Sequence, residues 1–68
     1  ELAALADAVS AAKRAMPSRA REVFTLSRDG ELSNREIAAT LGLSTKTVEG
    51  HMKRALDVLR RRLSAWSR

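Results

Sequence analysis

The chain has 68 residues and a net charge of +5, with 13 Lys and Arg, 8 Asp and Glu, one His and no Cys. This length allows one small domain with a limited core, and without Cys there are neither disulfides nor thiolate metal sites. The positive charge suits a polyanion such as nucleic acid or an anionic membrane surface. Neither paired carboxylates nor a phosphate-binding Gly-rich loop is recognisable. We therefore expect no catalysis, no cofactor, no metal and no small-molecule substrate.

The apolar runs are far too short for a membrane span, and no signal-peptide pattern is present. We therefore expect a cytoplasmic protein without a membrane partner. The chain opens on Glu1, without a starting Met, in what already looks like a helix. We expect a single domain over residues 1–68 that is a fragment of a longer protein.

The first half of the chain predicts two helices. In the first, over Glu1 to Ala15, the apolar residues recur at steps of three and four along one face. Pro17 then suits a helix start, so a second helix is expected over residues 18–27. The run Arg28-Asp29-Gly30 predicts a turn in which Gly tolerates a positive φ. The residues on the shared face of the first helix are Leu2, Leu5, Val9, Ala12 and Met16, and the core candidates of the second helix are Ala20, Val23, Phe24 and either Leu26 or Ser27.

The second half predicts two further helices with strong boundary signals. Ser33 and Glu36 match a capping box, so the third helix is expected to start near Asn34. Gly42 stands where a left-handed C-terminal cap is wanted, and Ser44 caps the fourth helix. Apolar residues of the fourth helix recur at helical spacing and predict one continuous buried stripe. The inward residues are Ile37, Ala38 and Leu41, followed by Val48, Met52, Leu56, Leu59, Leu63 and Trp66.

These elements predict an all-α fold of four helices with a helix-turn-helix at about residues 33–63. A short helix, a Gly-containing turn and a long basic helix form the arrangement that places a recognition helix in the major groove of DNA. Capped short helices also occur in ordinary bundles, so spacing alone leaves a purely structural role open. The charge of the outward face favours DNA. The base-contact candidates on that face are Lys46, Glu49, Gly50, Lys53 and Arg54.

Each candidate has a chemical role and an alternative. Lys and Arg donate to guanine O6 and N7, whereas Glu49 either accepts from a cytosine amino group or pairs with Lys46 or Lys53. Gly50 lowers helix stability, so it either makes room for DNA or is a neutral surface position. The run Arg60-Arg61-Arg62 is either a solvated face or a source of long-range attraction. Phosphate contacts are assigned to two helix starts, at Asn34, Arg35, Thr45, Thr47 and His51.

From Met16 to Leu63 the chain resembles region four of bacterial sigma factors of the extracytoplasmic-function group. The resemblance is carried by MPSRAREVFTLSRDGELSNREIAATLGLS and TKTVEGHMKRALDVLRRRL. It implies a four-helix domain of the winged-helix-like superfamily that reads the minus-35 promoter element and holds the β flap of RNA polymerase. It also implies promoter DNA, polymerase core and an anti-sigma factor as partners. Many members carry a basic residue and Ser where this chain has Glu49 and Gly50, so the base sequence that is read does not carry over.

Two alternatives accompany this resemblance. The segment SNREIAATLGLSTKTVEGH is also similar to the helix-turn-helix of LuxR-type response regulators, but the connection LSRDGEL and the ending KRALDVLRRRL favour the sigma factor. The second alternative is a module that mainly docks polymerase or an anti-sigma factor. Exposed apolar side chains would support docking, and the ones to inspect are Leu2, Leu5, Leu63 and Trp66.

Overall fold

The computed structural model describes the backbone of residues 2–64 and the side chains of residues 4–64. Within this part the chain forms α1 (Leu2–Ala15), α2 (Ser18–Arg28), α3 (Asn34–Leu41) and α4 (Thr45–Leu63), with no strand. The predicted all-α fold of four helices is confirmed, and α2 extends to Arg28, which the sequence had placed in the following turn. None of the described helices is both long and apolar enough to cross a membrane.

The predicted caps of the helix-turn-helix are present. Ser33 Oγ accepts a hydrogen bond from the Glu36 backbone N–H at 3.1 Å, and Glu36 Oε1 accepts from the Ser33 N–H at 2.8 Å. Gly42 has a φ of 70°, the left-handed conformation in which a side chain would be strained. Ser44 Oγ accepts from the Thr47 N–H and begins α4. The left-handed Gly42 thus ends α3, and the Ser44 cap starts α4 within three residues.

The turn before α3 differs from the prediction. The residue with a positive φ is Glu31, at 55°, and not Gly30. Gly30 is required for another reason, because a Cβ at this position would lie 2.8 Å from the Leu26 carbonyl oxygen. The same carbonyl accepts the Leu32 N–H at 3.2 Å, so the chain folds back tightly over the end of α2. Close approach of the backbone, rather than φ, selects glycine here.

Two clusters of buried side chains hold the helices together. The recognition core joins α2, α3 and α4 through Val23, Ile37, Ala38 and Val48. The α1 core joins α2 and α4 to Met16, the residue that follows α1, through Ala20, Phe24 and Ala55. Met52 packs against both clusters and links them along α4.

The predicted continuous stripe of α4 is wrong at one position. Leu56 is 45% exposed, whereas its neighbour Ala55 has no exposed surface. Successive helix residues are rotated by about 100°, so only one of the two can face the α1 core. Met16, Ala20 and Phe24 pack around Ala55, and a small side chain fits in the limited space between them. The stripe therefore runs through Met52, Ala55 and Leu59, and Trp66 lies outside the described residues.

Candidate nucleic-acid interface

One side of the amino-terminal half of α4 packs against α3, and the other side is exposed to solvent. Val48 is fully buried against Ile37 and Ala38 of α3, and Ser44 satisfies the first turn of α4. Because Val48 and Met52 face inward, residues about half a turn away on α4 must face solvent. The fold thus presents one outward surface of α4, which we call the α4 face.

The α4 face carries all five base-contact candidates, and each of them is exposed: Lys46, Glu49, Gly50, Lys53 and Arg54. Their positions agree with the outward orientation expected from the sequence. Because long cationic side chains are exposed beside a glycine, this side of α4 is accessible to a ligand as large as a DNA duplex, whose major groove admits an α-helix. Their contacts with bases stay a prediction.

The charges of the α4 face are not consumed by ion pairs within the protein. The ion pairs of the described residues join Lys13 to Asp29 at 3.8 Å, Arg19 to Glu22 at 2.8 Å and Arg60 to Asp57 at 2.7 Å. Glu49 pairs with neither Lys46 nor Lys53 among these, so the structure does not contain the internal pairing proposed as its alternative role. The lysines and Arg54 keep their charges for an external anion, whereas Arg60 already has a carboxylate partner.

Two predicted phosphate contacts lie at the start of α3. Asn34 and Arg35 are both exposed. The first backbone N–H of this helix that bonds to a helix carbonyl is that of Ile37, which donates to Ser33 at 2.9 Å, and Glu36 donates to the cap. The N–H groups of Asn34 and Arg35 come before these bonds and point away from the helix. Free N–H groups and the positive end of a helix dipole generally favour an anion, and the phosphate contacts of Asn34 and Arg35 stay a prediction.

The other predicted phosphate contacts lie on α4. Thr45 and Thr47 are exposed, and His51 is half-buried. Ser44 Oγ donates a hydrogen bond to Thr47 Oγ1 at 2.9 Å. Since one lone pair of the Thr47 hydroxyl accepts this bond, its own proton is left to donate outward. Sequence reasoning missed this orientation, because it depends on the rotamers of two side chains.

The structure also brings four of the candidates together. Thr47, Gly50, His51 and Arg54 line one shallow depression of about 320 Å³ on the flank of α4. Their spacing of three and four residues places them on the same side of the helix. Lys46, Glu49 and Lys53 are not part of this lining.

A separate apolar surface lies towards the carboxyl end of α4. Leu56, Leu59, Arg60 and Leu63 line a depression of about 390 Å³. Leu5 of α1 is also 40% exposed. Of the apolar side chains singled out for docking, Leu5 and Leu63 therefore have accessible surface, while the Leu2 side chain and Trp66 lie outside the described residues. Sequence reasoning missed the exposure of Leu56, although Ala55 is an equally regular position for the inward residue of α4.

Comparison with known families decides what this helix-turn-helix belongs to. The family of sigma-70, region 4, matches residues 6–59, which is more than half of the chain and extends from α1 into α4. The chain belongs to the sigma-70 region 4 family. This match favours the sigma-factor resemblance over the LuxR-type one, and it extends the resemblance from Met16 back into α1. No curated protein and no solved structure matched the chain significantly.

Membership gives the helix-turn-helix a biological setting. Sigma-70 region 4 is a DNA-binding domain of transcription initiation, with a role in promoter recognition alongside RNA polymerase, and not a family of enzymes. The exposed cations of the α4 face and the open start of α3 agree with a DNA partner. The family assignment and the geometry thus point to the same class of ligand.

Proposed function

We propose that this chain is the DNA-reading unit of a sigma factor of the extracytoplasmic-function group, recognising the minus-35 promoter element in the cytoplasm as part of RNA polymerase. The observation that carries this proposal is the α4 face. Its cations are exposed and free of the ion pairs found elsewhere in the described chain, on a helix held by a fully buried Val48. A rigid, cationic helix of this kind enters the major groove.

The base-reading part of the face combines donors with one acceptor. Lys46 and Lys53 donate to guanine O6 and N7, and Glu49 accepts from a cytosine amino group. A carboxylate close to DNA phosphates is repelled unless it meets a donor, and no internal partner neutralises Glu49 in the described chain. Gly50 allows the helix to approach closely, and Arg54 lies at the edge of the face.

Backbone contacts set the position of the helix in the groove. Asn34 and Arg35 offer side-chain donors and free N–H groups at the start of α3. Thr45, Thr47 and His51 provide hydroxyl and imidazole donors on α4. Contacts from both helices place α4 at a defined angle across the two strands.

The test begins with selection of bound sequences from random duplex DNA, using the chain with RNA polymerase core. Lys53→Ala should then weaken binding to the selected duplex by about tenfold or more, since a good base contact contributes about 1 to 3 kcal/mol of discrimination. Arg19→Ala is the matched control, because it removes the same charge from an exposed position on α2. Equal affinities for the two variants would refute the assignment of the α4 face.

Glu49 provides a second, sharper readout. Glu49→Gln keeps the size of the side chain but removes the carboxylate, so affinity for random duplex should rise as repulsion from phosphates is lost. Discrimination between the selected and random duplexes should fall at the same time. A variant that gains affinity equally for both duplexes would show that Glu49 does not read a base.

A second role in protein docking is favoured by the exposure of Leu5 and Leu56. The family resemblance suggests the β flap of RNA polymerase as the partner, with an anti-sigma factor as a competitor for it. Leu56→Ser should weaken binding to the isolated flap and leave DNA affinity unchanged. Lys53→Ala should weaken DNA binding and leave binding to the flap unchanged. A variant that affects neither interaction would contradict the separation of the two surfaces.

A further inference from the structure

The fold itself does not require glycine at position 50. Gly50 lies inside α4, its φ is not positive, and a Cβ built on it would meet nothing within 4 Å. Glycine inside a helix lowers stability relative to Ala. Neither turn geometry nor packing within the described chain explains this residue.

Gly50 forms part of the depression whose other three lining side chains are Thr47, His51 and Arg54. The Thr47 hydroxyl accepts a hydrogen bond from Ser44 Oγ, which leaves its own proton available for a further acceptor. Arg54 takes no part in the ion pairs of the described residues, and the nearby Asp57 carboxylate is bound to Arg60 at 2.7 Å. The depression thus gathers hydrogen-bond donors around a glycine and contains no carboxylate.

This donor set suits a phosphate. Among the base edges of the major groove only guanine offers two acceptors side by side, whereas every phosphodiester only accepts hydrogen bonds and also carries a negative charge. A guanidinium binds a phosphate through two parallel hydrogen bonds, and a hydroxyl adds a third donor. The acceptor of the α4 face, Glu49, lies outside the lining.

We propose that this depression seats one phosphate of the DNA backbone, with Gly50 beneath it and Thr47, His51 and Arg54 as its donors. The inference deepens the proposed function and rests on it. It moves Arg54 and Gly50 from base reading to backbone binding. The α4 face is then divided lengthwise, with Lys46, Glu49 and Lys53 reading bases on one side and the phosphate seat on the other.

The first test compares Arg54→Gln with Lys53→Gln on two duplexes, one of random sequence and one selected by the protein. Arg54→Gln should lower affinity by the same factor on both, by about tenfold, and should reduce the slope of log affinity against log salt by about 0.9. Lys53→Gln should lower affinity mainly for the selected duplex. A loss confined to the selected duplex in Arg54→Gln, or an unchanged salt slope, would overturn the phosphate seat.

The second test uses the opposite changes in stability and DNA affinity that are expected for Gly50→Ala. Its melting temperature should rise, because Ala favours the helix and meets no neighbour, whereas its affinity for both duplexes should fall. Ser10→Ala, at an exposed position of α1, is the control that favours helix formation without approaching the depression. A more stable Gly50→Ala with undiminished affinity would refute the inference.

These outcomes separate the two proposals. If Lys53→Gln lowers affinity for selected DNA while Arg54→Gln and Gly50→Ala are silent, the phosphate seat fails and the promoter-reading helix survives. If none of the variants changes binding to either duplex, the proposed function fails as well. Thr47→Val, which keeps the shape but removes the hydroxyl, should show a smaller loss than Arg54→Gln on both duplexes.

Discussion

The recognition core and the α1 core hold the two ends of α4 with different kinds of side chain. Val23, Ile37 and Val48 of the recognition core have no exposed surface, and all are β-branched. The α1 core is built from two alanines, one aromatic ring and Met16. β-Branched side chains have few rotamers, whereas Met adapts to irregular gaps. The amino-terminal end of α4, which carries the α4 face, is therefore the more rigidly packed of the two.

This difference suits two kinds of contact. Base reading requires side chains held within about 0.5 Å of their productive positions, which a stiff core supports. The α1 core leaves Leu5 and Leu56 at the surface, where a protein partner can cover them. Met52 packs against both clusters and so connects the two ends.

The largest expected effect is in the recognition core. Ile37→Ala should lower the free energy of unfolding by about 2 to 5 kcal/mol, because the surrounding β-branched side chains cannot collapse into the cavity. Urea unfolding followed by circular dichroism measures this loss. Met16→Ala is the matched comparison in the α1 core and should cost less, since its neighbours adapt more readily. A larger loss in Met16→Ala would break the comparison.

Overpacking of the α1 core should have the next largest effect. Ala55→Leu forces a large side chain between α4 and its neighbours and should cost about 1 to 3 kcal/mol. Ala39→Leu adds the same atoms at an exposed position of α3 and should be close to neutral. Thermal unfolding of the two variants measures the difference in their stabilities. Similar stabilities would mean that Ala55 is not the inward residue.

A smaller effect is expected at the cap of α3. Ser33→Ala removes the hydroxyl that binds the Glu36 N–H and should lower stability by about 1 kcal/mol. Ser18→Ala at the start of α2 is the control, because α2 has no side-chain cap there. If chemical unfolding finds equal losses for both variants, the helix-turn-helix does not depend on its caps more than the rest of the domain does.

The smallest effect is expected at the exposed end of α4. Leu56→Ser should change the free energy of unfolding by no more than about 0.5 kcal/mol, as expected for a surface substitution. Leu59→Ser, one turn along and packed against the α1 core, should be clearly destabilising. A marked loss of stability in Leu56→Ser would restore the continuous stripe that the sequence predicted.

Much of this protein was determined by the sequence alone, because the signals that bound its helices are local. Pro17, the Ser33–Glu36 box, Gly42 and Ser44 act within a few residues of themselves, so the starts of α2, α3 and α4 and the ends of α1, α2 and α3 could be predicted within a residue or so. The outward placement of Lys46, Glu49 and Lys53 followed from the helical period once Val48 was taken as buried.

Only the tertiary structure decided the features that depend on distant neighbours. Ala55 and Leu56 are equally good helix residues, and Met16 and α2 select the smaller one by packing closely against α4. Gly30 is needed because the chain folds back onto the Leu26 carbonyl, not because of its φ. The α4 face depended on both the local sequence and the tertiary structure. Its residues were predictable from period and charge, but the depression lined by Thr47, Gly50, His51 and Arg54 became visible only with the side chains placed in three dimensions.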